Sequence, residues 1–420
     1  MHPGKHTPMK VLFLSTYFPR PSNARMGTWS LDHAVALKLA GIEVEVVSLT
    51  PTFPRWLARI WPAVNTYALC PPAARMAGVP VRYPRWLCYP IKQTWRLLGF
   101  APSFFLRIGW LTARRQVLKT VVDFQPDVIL ANHSLVNGLV ALKLKQLWGL
   151  PYITVDHEVG DFLGCRDNPR WLRVLQPVIK AAACSVTVSK TMQKIAEQIL
   201  PDGRFQTIYN GAGFAPCGLE ALDRHIDKPD VRIFCCGNLY SRKDVPLLIQ
   251  AFDQVWKEFP QATLRIAGDG PDRELIERLV SQLASRNQIR LMGSIEHQEV
   301  QREMLAADVF ALVGWAEPFG VVFLEAMANG CPVVVSSDAG VAEILTDGEN
   351  AVLTKPRDLN SVVEALTSLC SCPKRRQSIA RSAYALYNDS CQWNHRALEY
   401  ISVLESAIDA GRDSAEAFVA

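Results

Sequence analysis

Four charged side chains in the second half of the chain have the types and spacing to act on one ligand. Arg242 and Lys243 are adjacent just beyond an apolar run, and Glu317 and Glu325 flank a Pro-Phe-Gly turn. Neighbouring cations suit a phosphate-rich anion, because arginine offers forked donors and lysine a point charge. An ionised carboxylate only accepts hydrogen bonds and repels other anions, so Glu317 and Glu325 suit hydroxyl groups instead. Between the two glutamates, Gly320, Val321 and Val322 stand where a helix should begin. The first-turn N–H groups of a helix lack intrahelical acceptors and lie at the positive end of its dipole, so an anion can dock there.

The elements that must position these groups can be read from the pattern. Asp308 to Val313 (D-V-F-A-L-V) is an apolar run of buried-strand character, Pro318 and Gly320 interrupt it, and Phe323 to Ala328 holds strong helix formers before a stop at Gly330. Val231 to Cys236 is a similar run that leads into Gly237 to Lys243 and a helix from about Asp244 to Glu258. Thr263 to Ala267 leads into G-D-G-P, Ile289 to Met292 into Gly293, and Pro332 to Ser336 into Asp338-Ala339-Gly340. Strand, loop and helix repeated in this way predict a doubly wound parallel sheet, whose ligands bind beyond the carboxyl ends of its strands.

The segment E-P-F-G-V-V-F-L-E-A-M-A-N-G-C-P-V-V resembles the E-x7-E signature of the family 4 glycosyltransferases, retaining enzymes of the GT-B fold, with Glu317 and Glu325 as its glutamates. G-N-L-Y-S-R-K from Gly237, A-G-D-G-P from Ala267, the Gly293 turn and D-A-G-V-A-E-I-L from Asp338 follow in that family's order, so the resemblance covers nearly the whole chain. It implies an α/β chain of two Rossmann-like domains facing across a cleft. The acceptor domain would span 1–214, a linker 215–230, the nucleotide-sugar domain 231–390, and a closing helix in 391–420 would cross back to the first domain. It further implies catalytic roles for Glu317, His157, Arg242 and Lys243. Donor contacts would come from Glu325, on the ribose, and from Phe319, Gly320, Val321, Val322, Gly293, Gly268 and Gly237. No D-x-D occurs in the sequence, and the resemblance implies no metal and no other cofactor, with Arg242, Lys243 and the helix start carrying the leaving charge. The chain departs from the family at Asn238 for the usual arginine, Asp244 for the glycine after the lysine, Gly213 for the acid of N-G-x-D, and Glu158 after His157.

In the first half, Lys10 to Ser15, a helix from about Trp29 to Ala40 and Glu43 to Leu49 form a β-α-β unit. Gly27, in the loop between the first strand and the helix, suits backbone approach to a substrate phosphate or, equally, a plain helix-entry turn. Asp127 to Ala131 and Tyr152 to Asp156 are further strands, and His157 directly follows the second of these. A ligand-facing histidine and a strand-end structural histidine both fit that position, and the role of Asp161 is open.

The composition, 49% hydrophobic and 20% charged over 420 residues, is that of a globular chain with material for two cores. Eleven cysteines without a C-x-x-C read as reduced core residues of a cytosolic protein, and no run is long enough for a secretory signal core or a membrane span. The net charge of +5 is modest, but residues 46–122 hold no acid while Arg55, Arg59, Arg75, Arg82, Arg85, Lys92, Arg96, Arg107, Arg114, Arg115 and Lys119 fall among Trp56, Trp61, Trp86, Trp95 and Trp110. Such a segment fits an anionic membrane surface, or else a solvated basic subdomain. Its many prolines and the absence of a recognition motif argue against nucleic acid. The expected partners are therefore a nucleotide-sugar, a lipid-linked saccharide acceptor and the inner face of the cytoplasmic membrane, where the protein would be peripheral. A soluble acceptor, a sugar-nucleotide enzyme such as an epimerase, and a non-catalytic membrane scaffold are the alternatives.

Overall fold

The computed structural model describes residues 8–54, 56, 61, 64–87, 101–223 and 230–419. Arg55, Arg59, Lys92, Arg96 and Trp95 of the basic segment, and 224–229 of the expected linker, lie outside the described residues. The chain forms two compact units, Met1–Tyr209 with Trp393–Ala420, and Asn210–Gln392.

The first unit is built on β1 (Lys10–Ser15), β2 (Glu43–Val47), β3 (Thr50–Pro51), β4 (Ala73–Met76), β5 (Val79–Arg82), β6 (Arg85–Trp86), β7 (Val128–Asn132), β8 (Tyr152–Asp156), β9 (Cys184–Thr187) and β10 (Phe205–Thr207). Its main sheet runs in the order β10-β9-β8-β7-β1-β2-β5-β4, parallel throughout except for the β4–β5 pair, with β3 and β6 forming a separate short ribbon. Every residue of β7 and β8 is buried, as expected for parallel strands covered on both faces. β7 ends on Asn132 rather than at the expected Ala131, and this brings a polar side chain into the sheet.

The closing helix, Trp393–Val419, packs on this unit: His33 of the helix Thr28–Leu39 stacks on Trp393 at 4.7 Å and lies 4.2 Å from the Tyr400 ring. Burial pushes the His33 imidazole down to about 3, so it is neutral and packs as an aromatic. Arg20 is also buried, hydrogen-bonded to the carbonyls of Phe18 and Thr16 and to Ser48 Oγ, with its guanidinium over the rings of Tyr67 and Tyr83. It gathers the loop after β1 around a cation.

The basic segment is divided between the core and the surface. Trp86 is fully buried beneath the helix Pro102–Phe124, so closely that a Cβ on Gly109 would fall 2.0 Å from its ring. Arg82 pairs with Glu45 and Asp123, and Arg85 donates to the carbonyls of Tyr67 and Cys70. These three residues hold the fold together and do not form the outward-facing surface expected from composition. Acids just outside the segment and backbone carbonyls within it take up the hydrogen bonds of the two arginines.

The second unit is a wholly parallel six-stranded sheet in the order β13-β12-β11-β14-β15-β16, made of β11 (Arg232–Cys236), β12 (Thr263–Ala267), β13 (Ile289–Gly293), β14 (Val309–Leu312), β15 (Val333–Ser336) and β16 (Val352–Thr354). The chain enters it earlier than its Pro- and Gly-containing stretch predicts. Ala212 N donates to Cys391 O at 3.1 Å, Tyr387 Oη to Phe214 O at 2.6 Å, and Cys217 N to Ala328 O at 2.8 Å. Residues 210–223 are therefore part of this unit, with backbone groups bonded to its helices. Among the described residues all ten cysteines are free, and no helix is long and apolar enough to cross a membrane.

Candidate active site

In the second unit the expected residues collect at the carboxyl ends of β11, β12, β13 and β14. Gly237, Gly268 and Gly293 end three neighbouring strands and are tied in series, Gly237 N to Ala267 O at 3.1 Å and Gly268 N to Gly293 O at 2.8 Å. Gly268 has φ +144°, and a Cβ there would lie 1.9 Å from Gly237 O, so only glycine lets these turns meet. A Cβ on Gly270 would likewise come 2.5 Å from Leu239 O.

The loop after β11 forms a short 3-10 turn, Ser241–Lys243, and Asp244 then adopts φ +46° before the helix Val245–Trp256. This explains the departure noted in the sequence: the position after the lysine needs left-handed backbone, which glycine adopts freely and aspartate tolerates. Burial raises the Asp244 carboxyl, with the charge of Arg357 opposing it.

Lys243 Nζ donates to Glu317 Oε2 at 2.7 Å, with only 13% and 12% of the two side chains exposed. Two residues assigned separately, one to an anion and one to hydroxyls, are thus a single hydrogen-bonded pair. Backbone packing brings them together: Trp315 N donates to Arg242 O, and a Cβ on Gly314 would come 2.7 Å from that same oxygen. The loop carrying Glu317 is fixed on its other side by Gly340 N on Glu317 O and Val341 N on Phe319 O, at 2.9 and 3.0 Å. Asp338 adds bonds from Ala316 N and Ser336 Oγ.

The helix after β14 runs from Val321 to Ala328 with Gly320, φ +98°, at its N-cap, where the sequence places the start. Val321 and Val322 are thus in its first turn, where N–H groups have no intrahelical acceptor. Phe319, expected at the ligand, is 2% exposed and packs in the core. Glu325 is in this helix, and its charge helps raise the Cys236 thiol at the end of β11, after the larger effect of burial. A buried cation beside a carboxylate, an adjacent arginine and a helix start together can hold an anion and order hydroxyl groups next to it.

In the first unit, His157 follows β8, with Nε2 3.4 Å from Asn132 Oδ1 and its ring 4.1 Å from that of Trp29. Three consecutive residues at the end of β7, absent from the sequence reading, hold the segment around it. Asn132 faces His157, His133 Nδ1 lies 3.8 Å from Asp161 Oδ2, and Ser134 binds Asp156 through its N–H at 2.8 Å and through its hydroxyl. His133 has φ +69°, which turns its side chain away from the course of the strand. Burial lowers its imidazole, but the hydrogen bond and charge of Asp161, with Asp156 and Glu158, outweigh this and leave it raised. Burial pushes the Asp156 carboxyl up to about 6 despite its bonds from Ser134. Candidate ligand atoms of His133, Asp156 and Asp161 lie within 4.8 Å of one another, yet both Asp156 oxygens already accept from Ser134, so ion pairing and capping account for the group. The signal was available in the sequence, since N-H-S directly follows the apolar run Val128–Ala131. At Gly27, φ +71°, a Cβ would fall 2.2 Å from Tyr17 O; the close approach it permits is that of its own chain.

Two Rossmann-like units, each with polar and glycine-rich loops at the carboxyl ends of its strands, define the GT-B class of glycosyltransferase folds. Residues 26–211 match the Glycosyl transferase 4-like domain and residues 223–386 match Glycosyl transferases group 1, so glycosyltransferase domains account for most of the chain. It is 28% identical over 294 residues to an uncharacterized glycosyltransferase of Methanocaldococcus jannaschii, covering 66% of this chain and 75% of that one. It is 27% identical over 216 residues, 46% of this chain and 56% of the relative, to the GDP-mannose-dependent alpha-(1-6)-phosphatidylinositol monomannoside mannosyltransferase of Mycolicibacterium smegmatis. Sucrose-phosphate synthase from Thermosynechococcus elongatus shares the fold, with a TM-score of 0.75 at 19% identity over 96% of this chain and 100% of that one.

Proposed function

We propose that this protein is a retaining, nucleotide-sugar-dependent glycosyltransferase of family 4 that moves a hexosyl group onto a lipid-linked glycan at the cytoplasmic membrane face. The observation that carries the reading is the Lys243–Glu317 pair set beside Arg242 and near the helix start at Gly320. In front-face transfer the acceptor oxygen bonds to the anomeric carbon on the face from which the diphosphate departs, and the acceptor proton passes to a phosphate oxygen. Arg242, Lys243 and the N–H groups of Val321 and Val322 would stabilise the leaving charge, while Glu325 would hold the ribose hydroxyls. Glu317, held by Lys243, would order the transferred sugar. Gly237, Gly268 and Gly293 would form the turns around the base, and His157 would contact the sugar.

Because the cations and the helix start take the place of a metal, transfer is expected to persist at full rate in EDTA. Loss of activity in chelator that Mg²⁺ or Mn²⁺ restores would overturn the leaving-group assignment. A panel of nucleotide-sugars screened by thermal shift identifies the donor, since a ligand at about 100 times its Kd stabilises the fold by about 2.7 kcal/mol. Product formed without any added acceptor would favour an epimerase.

The membrane part of the proposal rests on the helix Pro102–Phe124. Its buried side is Leu106, Gly109, Ala113, Val117 and Val121, and its outer side carries Phe104 and Leu111, 60% and 56% exposed, between Arg107, Arg114 and Arg115. Trp56 and Trp61 are exposed as well. Apolar side chains interleaved with arginines on one helix face suit the boundary between headgroups and acyl chains, and the named relative acts on a phosphatidylinositol mannoside. Co-sedimentation with anionic vesicles is expected to exceed that with zwitterionic ones and to fall as salt rises. Reversing Arg107, Arg114 and Arg115 to Glu should weaken it at unchanged donor affinity. Equal binding to both vesicle types, or none, would leave a soluble acceptor as the better reading.

A further inference from the structure

Ser15, Ser30 and Asn132 form a buried line of hydrogen bonds whose direction is set by one backbone carbonyl. Ser15 Oγ donates to Tyr17 O at 3.1 Å, which uses its only hydrogen. In its 2.9 Å contact with Ser30 Oγ, Ser15 must therefore accept and Ser30 donate. Ser30, its own hydrogen now used, can only accept from the Nδ2 of Asn132, 2.9 Å away. The amide nitrogen thus faces Ser30 and the amide oxygen faces His157 Nε2. An amide oxygen only accepts, so His157 must carry a hydrogen on Nε2.

All three side chains are fully buried, so bulk water does not compete for these bonds. The line is braced at both ends. Gly27 lies against the Tyr17 carbonyl where a Cβ would not fit, and Asn137 Nδ2 donates to the backbone carbonyl of Asn132.

We propose that Asn132 is a positioning residue, and that the Ser15–Ser30–Asn132 line holds His157 as the Nε2–H tautomer and so sets the orientation of its ring. This rests on the reading of His157 as a residue that meets the sugar. The test uses the full chain labelled with ¹⁵N-histidine and long-range ¹H–¹⁵N correlation, with the His157 signals identified by their loss in His157→Gln. The wild type is expected to show the Nε2–H tautomer. Asn132→Asp, which keeps an acceptor oxygen toward the ring, should preserve it. Asn132→Leu should lose the preference and lower kcat/KM by about tenfold. Should Asn132→Leu fail to fold, Ser30→Ala examines the same wiring, because without Ser30 the amide can turn either way and the tautomers should mix. A wild-type ring protonated on Nδ1, or an unchanged tautomer in Ser30→Ala, overturns the proposal. A lost tautomer with kcat/KM unchanged overturns the role of His157 at the sugar while leaving the donor site of the second unit unaffected.

Discussion

Replacing Lys243 with Met is expected to lower sugar transfer by at least about a hundredfold and to destabilise the second unit by about 2–4 kcal/mol. The first effect follows from removing a positive charge from the place where negative charge develops. The second follows from Glu317, which would keep its charge in a largely enclosed position without the 2.7 Å partner that offsets its desolvation. The double variant Lys243→Met/Glu317→Gln separates the two, because neutralising the stranded carboxylate should restore most of the stability and none of the activity. Thermal melts and initial rates on the four proteins complete the cycle. If the single variant is as stable as wild type, the pair is solvated and does not organise the site.

Gly268→Ala should be the most damaging small substitution in the second unit, costing about 3 kcal/mol or more and with it nucleotide binding. Its φ of +144° lies in a region open essentially to glycine alone, and the new methyl would lie 1.9 Å from Gly237 O, a backbone atom at the end of the adjoining strand. Neither end can give way without disturbing the pairing of β11 with β12. Gly348→Ala is the control: φ is +74° but nothing lies within 4 Å, so only the backbone conformation is penalised, by about 1 kcal/mol. Denaturant unfolding of the two variants measures the difference, and equal costs would mean that the turn has room to relax.

The sequence alone determined the repeating strand-loop-helix order and hence the doubly wound class, because apolar strand runs and the glycines at their ends are local signals. It also determined that Arg242, Lys243, Glu317 and Glu325 stand at strand ends and a helix start, since each follows its element within a few residues. The left-handed backbone at Asp244 was hinted at by the glycine it replaces. Tertiary structure alone decided the rest. Lys243 and Glu317 are 74 residues apart and meet only because glycine lets the β11 and β14 loops touch. Phe319 faces the core and Trp86 is buried, which composition cannot distinguish from surface aromatics. Arg82 and Arg85 sit in an acid-free stretch, and their partners, two acids beyond its ends and two backbone carbonyls, become neighbours only on folding. The Asn-His-Ser end of β7 is plain in the sequence, but its pairing with Asp156, His157 and Asp161 depends on β7 and β8 lying side by side. Strand order is a long-range property that no local pattern carries, and the side-chain line from Ser15 to His157 exists only once it is set.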